Sequence, residues 1–343
     1  MAALVTAITD VFEPAIWSRA FLEETTAKNL LVQSGIAATN PEIEAAAAQG
    51  GRTVDMPFWD DLSHNVQGTT DVSKVATDTD DSITPHGLTS DKDVAVKNFR
   101  TQSFSFAPVI RYTSGGDPAG LIISRFATWW AREEQRLTLK TLTGIFADAT
   151  VAAALSNDIS GEVATTDPAK LISSAAVEDT RFLLGDAYDK LTAIIVHSTV
   201  FKRMRSLDLV ETVPSSQQNA APISTYMGLR VLVDDNITTA AGSTSGTKYS
   251  TFLFGQGAFA RTDIPLESGD PNLEVYRQPL KGTGSGQVDI ISRRYFLLHP
   301  RGIKYVGSLS GKVSPSDSDL AADNWTQVYL TKNIRIARLI TNG

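Results

Sequence analysis

The chain has 343 residues, 42% hydrophobic and 20% charged, with a formal net charge of -7 at pH 7. That composition is globular, and the length suits one large domain or two ordinary ones, so wholesale disorder is excluded. The negative balance argues against a general nucleic-acid binder or a membrane-surface protein, and the lack of cysteine excludes disulfides, thiolate metal sites and a cysteine nucleophile.

At the N-terminus Asp10 and Glu13 interrupt the apolar pattern, no basic region precedes it, and no apolar run approaches a membrane span. A soluble, intracellularly made protein is expected. Residues 1–50 read as a mostly helical arm, broken near Pro14 and Thr25–Thr26. Asn40, Pro41 and Gly50 bracket a short alanine-rich helix with cap, first-turn proline and terminating glycine in place. Arg52 to Trp59 resembles a strand. Asp60 to Gly87 is polar, rich in Asp and Thr, with little periodicity. Strand-like alternation resumes at Val94 and Val96, and again at Phe104 and Phe106. So long a loop is unusual inside a compact domain. An extended hairpin that lies on a neighbour would account for it.

Asp117 to about Ala149 reads as a single helix around which the rest is organised. Asp117 is a good N-cap and Pro118 takes the first helical position. An apolar stripe runs through Ile122, Ile123, Phe126, Trp129 and Trp130, then resumes at Leu139, Leu142, Ile145 and Phe146. Between them Arg132, Glu133, Glu134, Gln135 and Arg136 are polar on every side. Such a turn bridges between bodies or pairs with itself, and Glu133 is spaced to pair with Arg136. The helix is expected to be a spine of about 45 Å crossing from one packed region to another.

Ser156 to Lys170 reads as a polar connector. Thr180, Leu183, Leu184, Ala187, Tyr188 and Leu191 mark an amphipathic helix, and Ala193–Val196 a buried strand. Ser198 is placed to cap a short helix containing Phe201 and Met204. Strands follow at Leu229–Val233 and Thr251–Phe254, with a hairpin-like Gly/Ser/Thr-rich segment at 238–248. Val288–Leu298 and Asn333–Ile340 close the chain as alternating strands. Helices and strands mix without regular alternation, so an α+β class is expected. No internal repeat is present.

A search for chemistry returns nothing. His64, His86, His197 and His299 include no pair at metal-binding helical spacing. His197 and Ser198 are adjacent, so their side chains diverge, and His299 is expected to turn before Pro300. Asp78, Asp80 and Asp81 begin like a calcium loop, but Ile83 stands at the glycine position and Thr89 at the final acid. Gly255-Gln-Gly257-Ala-Phe-Ala260 resembles a dinucleotide fingerprint, yet Pro265 follows and no helix N-terminus is available for pyrophosphate. Gly282-Thr-Gly284-Ser-Gly286 lacks the lysine of a phosphate loop and reads as a flexible turn. Lys202, Arg203 and Arg205 read as a solvated face. No catalytic, cofactor-binding or metal-binding residue is assigned.

Several fragments together, in order, resemble one family. They are SGI at Ser34–Ile36, MPFWDDL at Met56–Leu62 and SGGDPAGLI at Ser114–Ile122, then WWAREEQ and LTGIFAD inside the long helix. IIVHSTVF at Ile194–Phe201, LRVLVDD at Leu229–Asp235 and FGQGAFA at Phe254–Ala260 follow. RYFLLHPRGIK at Arg294–Lys304 and NWTQVYLTKNIRI at Asn324–Ile336 complete the series. The chain thus resembles the major capsid proteins of tailed bacteriophages with the Hong Kong 97 fold, nearest to the Gp13-like coat proteins. The resemblance implies an N-terminal arm (1–51), an E-loop hairpin with P-domain strands (52–112), and the spine helix and connector of the P-domain (113–171). It further implies an A-domain (172–287) and return strands to the P-domain with a C-terminal segment (288–343). Implied with the fold are hexamers and pentamers of this chain forming an icosahedral shell around double-stranded DNA. A portal, a decoration protein and non-specific contact with packaged DNA come with it, but no membrane and no enzymatic activity. The fold-like sequence begins almost at Met1, so a separate scaffolding protein is expected. The virion is the expected location, after synthesis in the host cytoplasm. Three other readings compete: an encapsulin-like nanocompartment, a nucleotide-binding enzyme using the Gly-rich turns, and a glycan-binding fibre or decoration protein using exposed Trp59 and Trp325.

Overall fold

The computed structural model describes residues 34–39, 41–59, 90–114, 117–163, 167–207, 210–213, 223–264, 272–281 and 285–343. Expectations for the arm before Ser34, for Asp60–Gly87, for His64 and His86, and for Asp78, Asp80 and Asp81 lie outside those residues. The chain enters through strand β1 (Ala37–Ala38) and the expected alanine-rich helix α1 (Pro41–Ala47). Strands β2 (Thr53–Trp59) and β3 (Ser90–Phe106) flank the 60–89 segment. β3 is one continuous strand where the sequence suggested two. At about 3.4 Å per residue it is nearly 60 Å long, and it serves two partners in succession. Its first half pairs antiparallel with β2, from Thr53↔Val96 to Trp59↔Ser90.

After the short helix α2 (Val109–Ser114) comes the spine, α3 (Pro118–Ile145), 28 residues or about 42 Å. Pro118 sits at the first turn as expected, but the Asp117 carboxylate makes no capping hydrogen bond. The expected single helix to Ala149 is interrupted at Phe146. A new helix, α4 (Ala149–Leu155), starts there because Asp148 Oδ1 accepts from the Thr150 N–H at 2.7 Å. The polar connector contains a strand, β4 (Ser156–Asp158). α5 (Ser174–Arg181) begins earlier than the sequence suggested, with Ser173 as its cap. It continues as a 3-10 stretch, Phe182–Lys190, broken at Gly185, whose φ of 61° only glycine adopts freely.

β5 (Leu191–Val196) follows, then α6 (Ser198–Ser206), capped by His197 rather than Ser198: His197 Nδ1 accepts from the Thr199 N–H at 3.1 Å. β6 (Glu211–Val213), β7 (Ile223–Tyr226) and β8 (Leu229–Val233) lead to the hairpin of β9 (Thr239–Ala241) and β10 (Thr247–Gly255). β11 (Phe259–Asp263), β12 (Leu273–Gln278), β13 (Gln287–Pro300) and β14 (Ile303–Tyr305) come next. α7 (Asp317–Ala321), β15 (Trp325–Gln327) and β16 (Ile336–Thr341) close the chain. A 3-10 turn at Thr331–Asn333 occupies the start of the last expected strand.

Two large sheets organise these strands. The first runs β1-β11-β13-β3-β2, with β12 also on β13. The second runs β4-β16-β10-β5-β8-β7-β6, with β9 also on β10. β13 pairs with the second half of β3, Leu297↔Lys97 through Val288↔Phe106. Its alternation is regular, with Val288, Ile290, Ser292, Arg294 and Phe296 all facing inward. The class is α+β, as expected.

The spine connects two separate cores. Ile123, Phe126, Ala127 and Trp130 pack with Leu273 and Ile290 of the first sheet. Leu137, Leu139, Leu142 and Ile145 join the larger core built on the second sheet, together with Ile194, Leu253, Phe254 and Leu339. α7 lies directly on the second half of the spine. A Cβ at Gly144 would meet the carbonyl oxygens of Leu320 and Ala322, so only glycine permits that contact. Trp325, expected to be exposed, is 1% exposed: its indole N–H donates to Leu320 O at 3.0 Å and its ring meets Tyr305 edge-on.

Candidate functional site

The spine's central turn lies between the two cores, as expected, but it does not face solvent on every side. Glu133 and Arg136 do pair, at 2.5 Å, as their spacing requires. Glu134, however, points inward and is 1% exposed. Its Oε1 lies 2.5 Å from Arg261 Nε of β11, and its Oε2 lies 3.2 Å from Arg294 Nη2 of β13. Asp263 closes the group, 3.0 Å from Arg261 and 3.2 Å from Arg294. Two carboxylates and two guanidiniums balance, which a buried group must do. Burial by itself would lower the Arg261 pKa, but Glu134 and then Asp263 outweigh it and hold the guanidinium above its ordinary value. Beside this group Trp130 Nε1 donates to Ser292 Oγ at 2.9 Å. The spine is thereby fixed in register on the first sheet by directional contacts as well as by its apolar stripe.

A second buried group holds the root of the β2–β3 hairpin. Asp93, 3% exposed, accepts from the Gly302 N–H at 3.0 Å, and its other oxygen lies 3.0 Å from His299 Nε2. His299 does not turn. It stays in β13, because Pro300 occupies the last strand position, where a missing N–H costs least. Gly302 needs its φ of 83°, and a side chain there would strike the Tyr329 ring. That ring meets Phe58 of β2 edge-on at 4.8 Å.

A third anchor ties α7 to the spine. Asp317 pairs with Arg136 at 2.7 Å and with Arg100 of β3 at 3.1 Å. Ser316 and Asp319 form a reciprocal capping box, and Lys312 pairs with Asp319 at 2.6 Å. Burial raises the Asp317 pKa, but the Arg136 hydrogen bond and the Arg100 charge bring it below the usual carboxylate range. Lys312 and then Ser316 hold Asp319 down to about 2. Depressed carboxylates bind fewer protons folded than unfolded, so their contribution is present at neutral pH and lost as pH falls from about 4. Amide exchange at 317–325 is expected to accelerate over that acid window before exchange in β5, β10 and β16 does. Simultaneous loss of protection in all four would contradict the anchor.

Among the described residues no cluster of three His, Asp or Glu could hold a metal ion. The Gly255–Ala260 stretch is a tight turn from β10 into β11 with Gly257 at φ 66°, so it offers no helix terminus to a phosphate. Lys202 and Arg205 are exposed on α6, with Arg203 half-buried. Among the described residues no helix is long and apolar enough to cross a membrane.

The surface instead offers area for association. A groove of about 490 Å³ runs between β3 and the first half of the spine, lined by Phe104, Leu121, Ile122, Trp129 and the rim residues Arg125 and Arg132. Phe104 and Leu121 are 40% and 53% exposed. Trp59, as expected, is exposed at the outer end of β2, and Tyr112 stands out from α2. Large exposed apolar groups of this kind mark surfaces that meet other proteins. The sequence showed the spine's stripe but not this groove, because Phe104 reaches it only through the β3–β13 register.

The fold is similar to the capsid of Ralstonia phage GP4, with a TM-score of 0.52 at 10% identity over 90% of this chain and 88% of that chain. It is similar to the capsid asymmetric unit of cyanophage Pam1, also at 0.52, with 8% identity over 87% and 86%. In sequence, the chain is 35% identical over 338 residues to the major capsid protein of Bacillus phage SPP1, covering 97% of each. No family model matches the chain.

Proposed function

The chain belongs to the bacteriophage major capsid proteins of the Hong Kong 97 fold, and on that premise we propose that it assembles as hexamers and pentamers into an icosahedral shell enclosing double-stranded DNA. The observation that carries this reading is 35% identity sustained over 97% of both chains. Its role is structural, in the virion capsid, and its first partner is itself. We propose that it has no catalytic activity and needs no cofactor. A separate scaffolding protein, a portal and a decoration protein are its further partners, no membrane takes part, and synthesis occurs in the host cytoplasm.

The spine helix and first sheet make the P-domain in this reading, and the second sheet makes the A-domain. Sheet pairing supports two changes to the expected ranges. β11 and β12 pair with β13, so the A-domain is better ended at Gly255 than at 287. β16 pairs with β10, so the last strand belongs to the A-domain while β13 belongs to the P-domain. The net charge of -7 lets a shell wall tolerate packed DNA without gripping it along its length.

The segment Asp60–Gly87 is the proposed tip of the E-loop, ordered by a neighbouring copy. It carries Asp60, Asp61, Asp71, Asp78, Asp80 and Asp81 against Lys74, with scattered Leu62, Val66, Val72, Val75 and Ile83. That composition complements an apolar groove rimmed by Arg125 and Arg132. Ordering costs about 1–2 kcal/mol per residue, which so few apolar groups do not offset alone. Protease is expected to cut this stretch early in free capsomers and to spare it in shells. Equal protection in both would mean that the loop folds on its own subunit.

Shell contents test the function as a whole. Purified particles are expected to carry nuclease-protected double-stranded DNA and a portal. Particles filled with an enzyme cargo and no DNA would replace this reading with a nanocompartment.

A further inference from the structure

Where the two sheets meet, several chain segments line an open pocket of about 220 Å³, with Lys190, Asn333 and Arg335 exposed around its mouth. Its polar lining is Lys190, Arg301, Arg335, Asn333 and Tyr329, with Gly257 and Ala258 completing the wall. Three of the lining residues are cations and none is a carboxylate, in a chain whose net charge is -7. The buried Asp93, which is not among the lining residues, already faces His299 and the Gly302 N–H.

The cations are brought together by the fold rather than by surface chance. Gly255 lets the chain at Lys190 and Arg335 approach closely: a Cβ there would lie 2.5 Å from Lys190 O and 2.9 Å from Arg335 Cβ. Arg335 Nη1 donates to Gln256 O at 2.7 Å, and the Arg301 N–H donates to Ala258 O at 3.0 Å. Arg301 Nε is buried with no hydrogen-bond partner among the described residues. An unsatisfied buried donor beside two further cations is an arrangement that a bound anion would relieve. At about 30 Å³ per water the pocket holds roughly seven waters, enough for one hydrated tetrahedral oxyanion.

We propose that this pocket is an oxyanion site for a phosphate group, held by Lys190, Arg301 and Arg335 at the junction of the two sheets. The phosphate comes from DNA backbone or from free phosphate. Binding there ties the β10–β11 turn, the β13–β14 turn and the segment before β16 to one ligand, so it stiffens the junction between the two bodies. The site goes beyond the shell-building role, and its failure would leave that role untouched.

The test uses the full-length chain with inorganic phosphate as the probe and chloride at matched ionic strength as the control. At a phosphate concentration about ten times its Kd, melting is expected to rise by about 2 °C more than in chloride. The K190Q/R335Q protein keeps Arg301 and its backbone hydrogen bonds. It is expected to bind phosphate at least about a hundredfold more weakly, near tenfold for each charge-assisted hydrogen bond removed. Phosphorus NMR line broadening reads binding independently of stability, and circular dichroism checks that the variant folds. A 20-base-pair duplex that displaces the phosphate assigns the site to DNA backbone. A duplex without effect assigns it to free phosphate. Equal melting in phosphate and chloride, or unchanged phosphate binding in K190Q/R335Q, would overturn the proposal.

Discussion

Phe126→Ala is expected to lower the unfolding free energy by about 3–5 kcal/mol, the range for emptying a large aromatic site in a core that only partly collapses. Phe126 is 1% exposed and sits in the smaller of the two cores, with Trp130, Leu273 and Ile290 around it. The Phe104 ring is 5.1 Å away. That core is small, so few neighbours can move in to fill the gap. The effect should appear as an earlier urea midpoint for the capsomer and as a weakened hold of the spine on the first sheet. An unchanged midpoint would contradict the packing described.

Glu134→Gln is expected to cost a similar amount, about 3–5 kcal/mol, for a different reason. The side chain's shape is kept, but Arg261 and Arg294 then face Asp263 alone with one positive charge uncompensated. Because guanidinium does not shed its proton in the accessible pH range, no titration relieves the imbalance. Replacing Glu134, Arg261 and Arg294 together by apolar residues of similar volume should cost far less, since intact buried ion groups add little net stability. Comparing urea midpoints of the single and triple variants separates the cost of an unpaired charge from the worth of the intact group. A Glu134→Gln protein as stable as the parent would show that the group is hydrated and not buried.

The long elements were legible in the sequence, and the reason is physical. A 28-residue helix repeats its apolar stripe often enough to outvote local accidents, and β13 alternates over 14 residues. What escaped was short or depended on distant partners. α7 has five residues and no periodicity to read, although Ser316 and Asp319 carried a capping-box signal. Trp325 lies among polar neighbours in sequence, and only the approach of Leu320 and Tyr305 buries it. β4 is three residues held by pairing with β16 at the far end of the chain. The ion group joins Glu134 to Arg261, 127 positions away, so no local pattern announces it. One clue was present: Arg294 stands as the one charge at the inward phase of the β13 alternation, where a charge needs a buried partner. The basic pocket left no such clue, because its three cations meet only when the two sheets do.

Electron microscopy of the purified full-length chain, expressed with the scaffolding protein proposed for it, tests shell assembly most directly. Closed icosahedral shells of uniform size, built from five-fold and six-fold clusters of this chain, are the expected result. Dispersed subunits that never close into a shell, or open sheets and filaments under the same conditions, would contradict it.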